Sequence, residues 1–282
     1  MKRVSLVVCL LVCAPAVAIG GPITYTLRDA HFFGGTPGSS REILQSGTFT
    51  PSSVESLPFT FTTGGATPDV FTGNARNQGT PFRLRVSNQV TAGEDAALNS
   101  NISPFDPFNI VSLVQSRISE SGILVTGSSG TGYFIPTFRV TGTHVDTHAT
   151  AWSNVSACAG ISSCSATGLD SSGGGTETVD MLFTPAIAPN TSFTFGTPFS
   201  FFFFVSAGVS SGVNGTLQAG SVSGNFVMSL VGYKVVDANG NDISGVSVDS
   251  DLFAPVPEPA SLALLGAGLL GLAAARRGGR RG

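Results

Sequence analysis

Phe82-Arg83-Leu84-Arg85-Val86 decides the fold of this chain: apolar side chains fall on every second residue, with arginines between them. Successive side chains of an extended strand point to opposite faces, so this alternation makes a strand with one dry and one wet side. Working outward from it, Ile23-Thr24-Tyr25-Thr26-Leu27-Arg28 repeats the design. Phe59 and Phe61 alternate with Thr60 and Thr62, and Phe138 and Val140 with Thr137 and Arg139. These stretches read as half-buried antiparallel strands. Between them lie Gly/Ser/Pro/Asn segments such as Gly34 to Ser40 and Ser171 to Gly175, and away from the chain ends no stretch shows capped helical periodicity. Val231 to Val236 and Ile243 to Val248 flank Asp237-Ala238-Asn239-Gly240-Asn241-Asp242, where Asn-Gly supplies the positive φ angles of a tight turn and predicts a hairpin. Phe199-Ser200-Phe201-Phe202-Phe203-Phe204-Val205 is apolar on both faces over its second half, which predicts a central strand covered on both sides. Many short strands without helical crossovers predict an all-β domain over residues 19–255, an antiparallel β-sandwich or jelly roll.

Composition agrees with an exported β domain. Of 282 residues only 11% are charged, against a usual quarter, while 36 are glycine and 21 phenylalanine. The 41% hydrophobic content excludes a disordered chain. Six of the fourteen basic residues sit at the two ends, leaving eight against sixteen acidic residues between Ile19 and Pro255, a net of −8. So acidic a middle has no general electrostatic footprint for nucleic acid or an anionic bilayer.

The N-terminus reads MKRVSLVVCLLVCAPAVA: basic Lys2 and Arg3, an apolar run from Val4 to Ala14, then Ala16-Val17-Ala18. This is the pattern of a secretory signal peptide, residues 1–18, with signal peptidase cutting after Ala18 in an A-x-A site. A lipoprotein reading at Cys13 meets Val12 where a small residue is wanted. Removal of the signal takes Cys9 and Cys13 with it, leaving Cys158 and Cys164. Their C-x5-C spacing closes a Gly/Ser-containing loop, and in an oxidising compartment this predicts a local disulfide rather than a metal site, since no histidine lies in the loop.

The C-terminus, from Val256, reads VPEPASLALLGAGLLGLAAARRGGRRG. Pro257 and Pro259 hold Glu258 in an extended segment that a processing enzyme can grip. The uncharged run 260–275 predicts a single transmembrane helix; its sixteen residues rise about 24 Å at 1.5 Å each, marginal against a core of roughly 30 Å. Arg276, Arg277, Arg280 and Arg281 act as stop-transfer charge and fix the orientation, with the arginines cytoplasmic and Glu258 and everything before it across the membrane. This three-part tail, 256–282, resembles the PEP-CTERM sorting signal of Gram-negative bacteria. The resemblance implies that Pro257, Glu258 and Pro259 are the recognition and processing site and that an exosortase, a transpeptidase-like membrane enzyme, reads the tail. It further implies a link to exopolysaccharide and to biofilm or floc formation.

Candidate chemistry in the middle is sparse. His144-Val145-Asp146-Thr147-His148 places two imidazoles and a carboxylate on one strand face at steps of about 6.6 Å, a candidate set for a divalent ion if the strand bends; a polar, solvent-facing strand side is the favoured reading. Asp237, Asn239, Asn241 and Asp242 suggest a calcium loop, but Asp242 stands where glycine is needed and Val248 where glutamate is needed. Glu94-Asp95 and Glu177-x-x-Asp180 have nothing to set a catalytic separation. No G-x-S-x-G, H-E-x-x-H, P-loop or dinucleotide fingerprint occurs. The expectation is a non-enzymatic surface or matrix protein without cofactors or nucleic-acid partners, exported across the inner membrane, briefly anchored, then delivered to the surface or exterior. The alternative is a secreted carbohydrate-active or metal-dependent hydrolase using the same tail.

Overall fold

The alternating stretches pair into two antiparallel sheets laid face to face. The computed structural model describes residues 22–32, 40–50, 52–62, 70–78, 82–92, 111–147, 151–161, 163, 165–172, 174–211 and 220–253. Their strands are β1 (Ile23–Phe32), β2 (Ser40–Phe49), β3 (Val54–Thr62), β4 (Val70–Gln78), β5 (Arg83–Ala92), β6 (Val111–Thr126) and β7 (Thr131–Asp146). There follow β8 (Ala151–Gly160), β9 (Ser165–Ser172), β10 (Gly175–Phe183), β11 (Ser192–Thr194), β12 (Phe199–Ser211), β13 (Gly220–Val236) and β14 (Ser247–Asp249). The first sheet runs β2-β1-β6-β12-β8-β9 with β14 added to β6; the second runs β10-β7-β13-β5-β4-β3 with β11 added to β7. Among the described residues there is no α-helix, only a 3-10 turn at Pro189–Thr191. The all-β, two-sheet expectation therefore holds.

Alternation assigns the faces as the sequence predicts. Ile23, Tyr25 and Leu27 point into the core while Thr24 and Arg28 do not; Leu84 and Val86 are buried and Arg83 and Arg85 exposed. The core has two zones. At one end aromatic rings interlock: Phe134 lies edge to face with Phe201 at 5.4 Å and with Phe253 at 4.8 Å, and Phe138 lies tilted against Phe203 at 4.9 Å. Toward the other end the inner faces carry Asp29, Asn77, Asn88, Ser112, Ser116, His144, Asp146 and Ser153, all buried. Side chains from one sheet reach backbone of the other there: Asn88 Nδ2 donates to the carbonyls of Ser112 (3.0 Å) and Ala207 (2.9 Å), and Ser116 Oγ donates to the Arg76 carbonyl at 3.2 Å while also bonding Asn77. Gly142 lets this zone close, because a Cβ there would overlap the Asn225 carbonyl and the Phe226 ring.

Two sequence expectations are corrected. The Phe199–Val205 strand is central in its sheet, between β6 and β8, but it is not covered on both sides. Phe201 and Phe203 are buried, whereas Phe202 and Phe204 are half-buried on the outer face. Neighbouring side chains replace the expected second layer; the Arg117 guanidinium lies 4.4 Å above the Phe202 ring. The 231–248 hairpin also shrinks to its turn. After the bridge Val236↔Asp242 and one bond from Ile243 N to Val235 O (3.0 Å), the return arm leaves β13, and Ser247–Asp249 pairs with Leu124–Thr126 of β6.

Candidate functional site

The turn after β13 is held by one side chain. Asp237 Oδ1 accepts from the backbone N–H of Asn239 (2.8 Å) and Asn241 (2.9 Å), and Oδ2 accepts from Asn241 Nδ2 at 3.0 Å. These bonds, the Asn241 side chain foremost, hold the Asp237 carboxyl below its ordinary range. The residues that suggested a calcium loop thus satisfy one another in a turn, with Gly240 at φ 83°.

From this turn the chain crosses to β6 and meets the most elaborate polar site of the described residues. On β6, Ser112, Val114, Ser116, Ile118 and Glu120 face inward; at Gly122, φ 76°, the strand bulges, the register against β12 shifts, and Ile123 and Val125 take over the inner face. Glu120 is left fully buried at the aromatic end. Its Oε2 accepts from Ser250 Oγ (2.6 Å) and Leu252 N (3.2 Å), and Oε1 from Asp251 N (2.7 Å). Burial pushes this carboxyl above the ordinary glutamate value, and the bonds from Ser250 and the two amides offset only part of the effect. Ser250 Oγ in turn accepts from Phe253 N at 3.0 Å, and the Phe253 ring packs among Phe134, Phe201 and Tyr233. Glu120 therefore ties down the chain just before the sorting tail, and Phe253, four positions ahead of Pro257, is its last described residue.

Pro257, Glu258, Pro259, the run 260–275 and Arg276, Arg277, Arg280 and Arg281 lie outside the described residues, as do Ala16, Ala18 and the rest of 1–18. Cys158 is buried and disulfide-bonded; Cys164 lies outside the described residues.

The face carrying His144 and Asp146 is not the solvent-facing side favoured from sequence. Both point inward, at 1% and 6% exposure, because β7 runs its alternation unbroken from Phe138 and Val140 to its end. The His144 ring meets the Phe226 ring edge-on with centroids 4.6 Å apart, and Asp146 Oδ1 is buried without a hydrogen-bond partner. Burial first, and then the charge of Glu177, raise the Asp146 carboxyl. Glu177 faces His144 across β10 and β7. His148 lies outside the described residues, and among the described residues no group of three His, Cys, Asp or Glu converges as a metal site. Glu177 and Asp180 do not form a pair: Asp180 bonds the Arg139 guanidinium in two places, at 2.8 and 2.6 Å, which lowers its carboxyl. Glu94 and Asp95 lie outside the described residues.

Sequence reasoning missed Glu120, whose position in Arg117-Ile118-Ser119-Glu120 reads as one more polar residue beside an alternating strand. The signal available was its parity with Ile118, which shares the inner face.

No curated protein matches the chain. Among solved structures, a cryo-EM structure of broad bean stain virus is 8% identical and covers 88% of this chain and 97% of its own, at a TM-score of 0.20. The VP2 subviral particle of infectious bursal disease virus is 9% identical and covers 88% and 74%, at 0.18. Likeness at these scores carries no structural information. The informative match is at the C-terminus, where residues 255–281 fit the family model of the PEP-CTERM protein-sorting motif. The chain thus carries a PEP-CTERM sorting motif, the mark of an exported protein that an exosortase-like membrane enzyme sorts to the surface or the exterior.

Proposed function

We propose that this is a non-enzymatic structural or adhesive component of an extracellular polymer, exported by signal peptidase-dependent secretion, held by its 260–275 helix, and processed at Pro257-Glu258-Pro259. The observation that carries the reading is the sorting motif following closely on an all-β body whose last segment is latched by Glu120. Among the described residues the bonds that close this body reach Phe253, four positions ahead of Pro257, so a cut at the tail leaves them intact. Mass spectrometry of the C-terminus in membrane and medium fractions tests the reading. A full-length tail in the membrane and a shortened one outside are expected; a medium form still carrying Arg281 would overturn it. The hydrolase alternative draws on His144 and Asp146 sharing one buried face. Turnover of a glycan that is lost in both His144→Ala and Asp146→Ala would replace the structural reading with that one.

A further inference from the structure

One region of the outer face of the second sheet, on β4 and β5, gathers cationic charge that no carboxylate pairs with among the described residues. Pairing register sets its side chains in rows across the strands. Arg76 of β4 stands directly opposite Arg85 of β5, which stands opposite Val227 of β13, and this row continues through Thr141 to Asp180; the next row reads Gln78, Arg83, Ser229, Arg139. Arg76, Gln78, Arg83, Arg85 and Val227 line a partly open pocket of about 110 Å³. Like charges directly opposed on a sheet destabilise it. The other arginines with described side chains are accommodated: Arg28 pairs with Glu42, Arg139 with Asp180, and Arg117 lies over Phe202. Among the described residues no carboxylate pairs with Arg76, Arg83 or Arg85, and Arg76 Nε is closed off from solvent with no hydrogen-bond partner.

Beside the arginines the same face becomes neutral. The adjoining rows, Asn74–Ser87–Asn225–Thr143 and Thr72–Gln89–Ser223, line a groove of about 390 Å³ with hydroxyls and carboxamides, together with Pro58, Phe59 and Thr60 of β3. From Thr72 to Gln78 the two regions together extend about 20 Å at about 3.3 Å per residue. A ligand that fits is an extended, hydroxyl-rich chain bearing spaced carboxylates. Guanidinium groups take carboxylates in bidentate geometry, and hydroxyls and amides exchange bonds with sugar hydroxyls. A dense polyanion fits poorly, since duplex DNA carries a charge every 1.7 Å or so and the chain between Ile19 and Pro255 has a net charge of −8. We infer that the outer face of the second sheet binds an acidic polysaccharide, with carboxylates on Arg76, Arg83 and Arg85 and ring hydroxyls of the same chain in the adjoining groove. This rests on the matrix reading above and names its partner.

The test titrates protein recovered from cells producing the full chain with polygalacturonate, dextran, duplex DNA, and vesicles of phosphatidylglycerol and phosphatidylcholine. Polygalacturonate is expected to bind at least tenfold more tightly than the other three, and more weakly as NaCl rises. Arg83→Gln with Arg85→Gln is expected to lower that affinity at least tenfold, while Arg28→Gln on the other sheet leaves it unchanged. Both substituted arginines are exposed, and a melting curve verifies that the double variant is folded; competition of wild-type binding by free galacturonate gives the same answer without a variant. Equal affinity for dextran, tighter binding of DNA or vesicles, or undiminished binding by the double variant overturns the inference. The matrix reading fails separately, when wild-type protein that binds polygalacturonate through these arginines is absent from the polymer fraction of the producing cells.

Discussion

Glu120 is buried at the aromatic end of the sandwich, yet it accepts a hydroxyl and two backbone N–H groups from the segment 250–252. Glu120→Gln replaces one acceptor oxygen with a donor that faces an N–H. Leaving a buried donor unpaired costs about 1–3 kcal/mol, and urea denaturation should show a loss of that size. The raised carboxyl sets the pH dependence. The folded protein takes up this proton before the unfolded chain does, so the cost of holding the charge is present above the folded value. It disappears as pH falls through that value toward the ordinary glutamate range, where the effect levels off. The wild-type advantage over Glu120→Gln should therefore widen on mild acidification; a narrowing gap in paired denaturation curves would show that the carboxyl is not raised. Asp146, buried with Oδ1 unbonded and raised chiefly by burial, predicts the opposite response to substitution. Asp146→Asn should leave the melting temperature at pH 7 unchanged or raise it, and a clear fall would mean that the carboxylate has a stabilising partner.

At the scale of the element, β12 tests how far a run of like residues hides two environments. Phe203 is buried against Phe138 and Phe82, whereas Phe202, next to it, is half-buried beneath Arg117. Phe203→Ala should cost about 3–5 kcal/mol through the cavity it opens. Phe202→Ala should cost about 1 kcal/mol, the order of a partly exposed cation–π contact. Equal losses in thermal or urea unfolding would mean that both faces of the strand are covered after all. The strand's centrality was legible in its apolar run, but the missing outer layer was not. Phenylalanine next to phenylalanine reads the same whether a second layer or a neighbouring arginine covers it.

For the whole molecule, the last described segment closes the sandwich rather than trailing from it. β14 pairs with β6, Ser250 to Leu252 bond Glu120, and Phe253 fills the aromatic cluster. Truncation after Phe253 should leave the melting temperature unchanged, whereas truncation before Ser247 should lower it by several degrees or more, as circular dichroism would record. The same geometry explains what was hard to read beforehand. Residues 243–248 look like the return arm of a hairpin, and Asp237 to Asp242 do make the turn, but the edge of β6 beyond Glu120 offers a longer-range partner beside a core that Phe253 can fill.

By itself the sequence determined the all-β class, the wet and dry sides of strands such as β1 and β5, and the sorting motif at 255–281. Each is encoded locally, in a two-residue period or a contiguous signal. Only the tertiary structure decided that Asn77, Asn88, Ser116, Glu120, His144 and Asp146 face inward, and that Arg76 stands against Arg85. Parity along a strand says which residues share a face. Which face is buried, and which charges meet across it, depends on partners distant in the chain: the Asn88 amide reaches carbonyls of the opposite sheet 24 and 119 residues away.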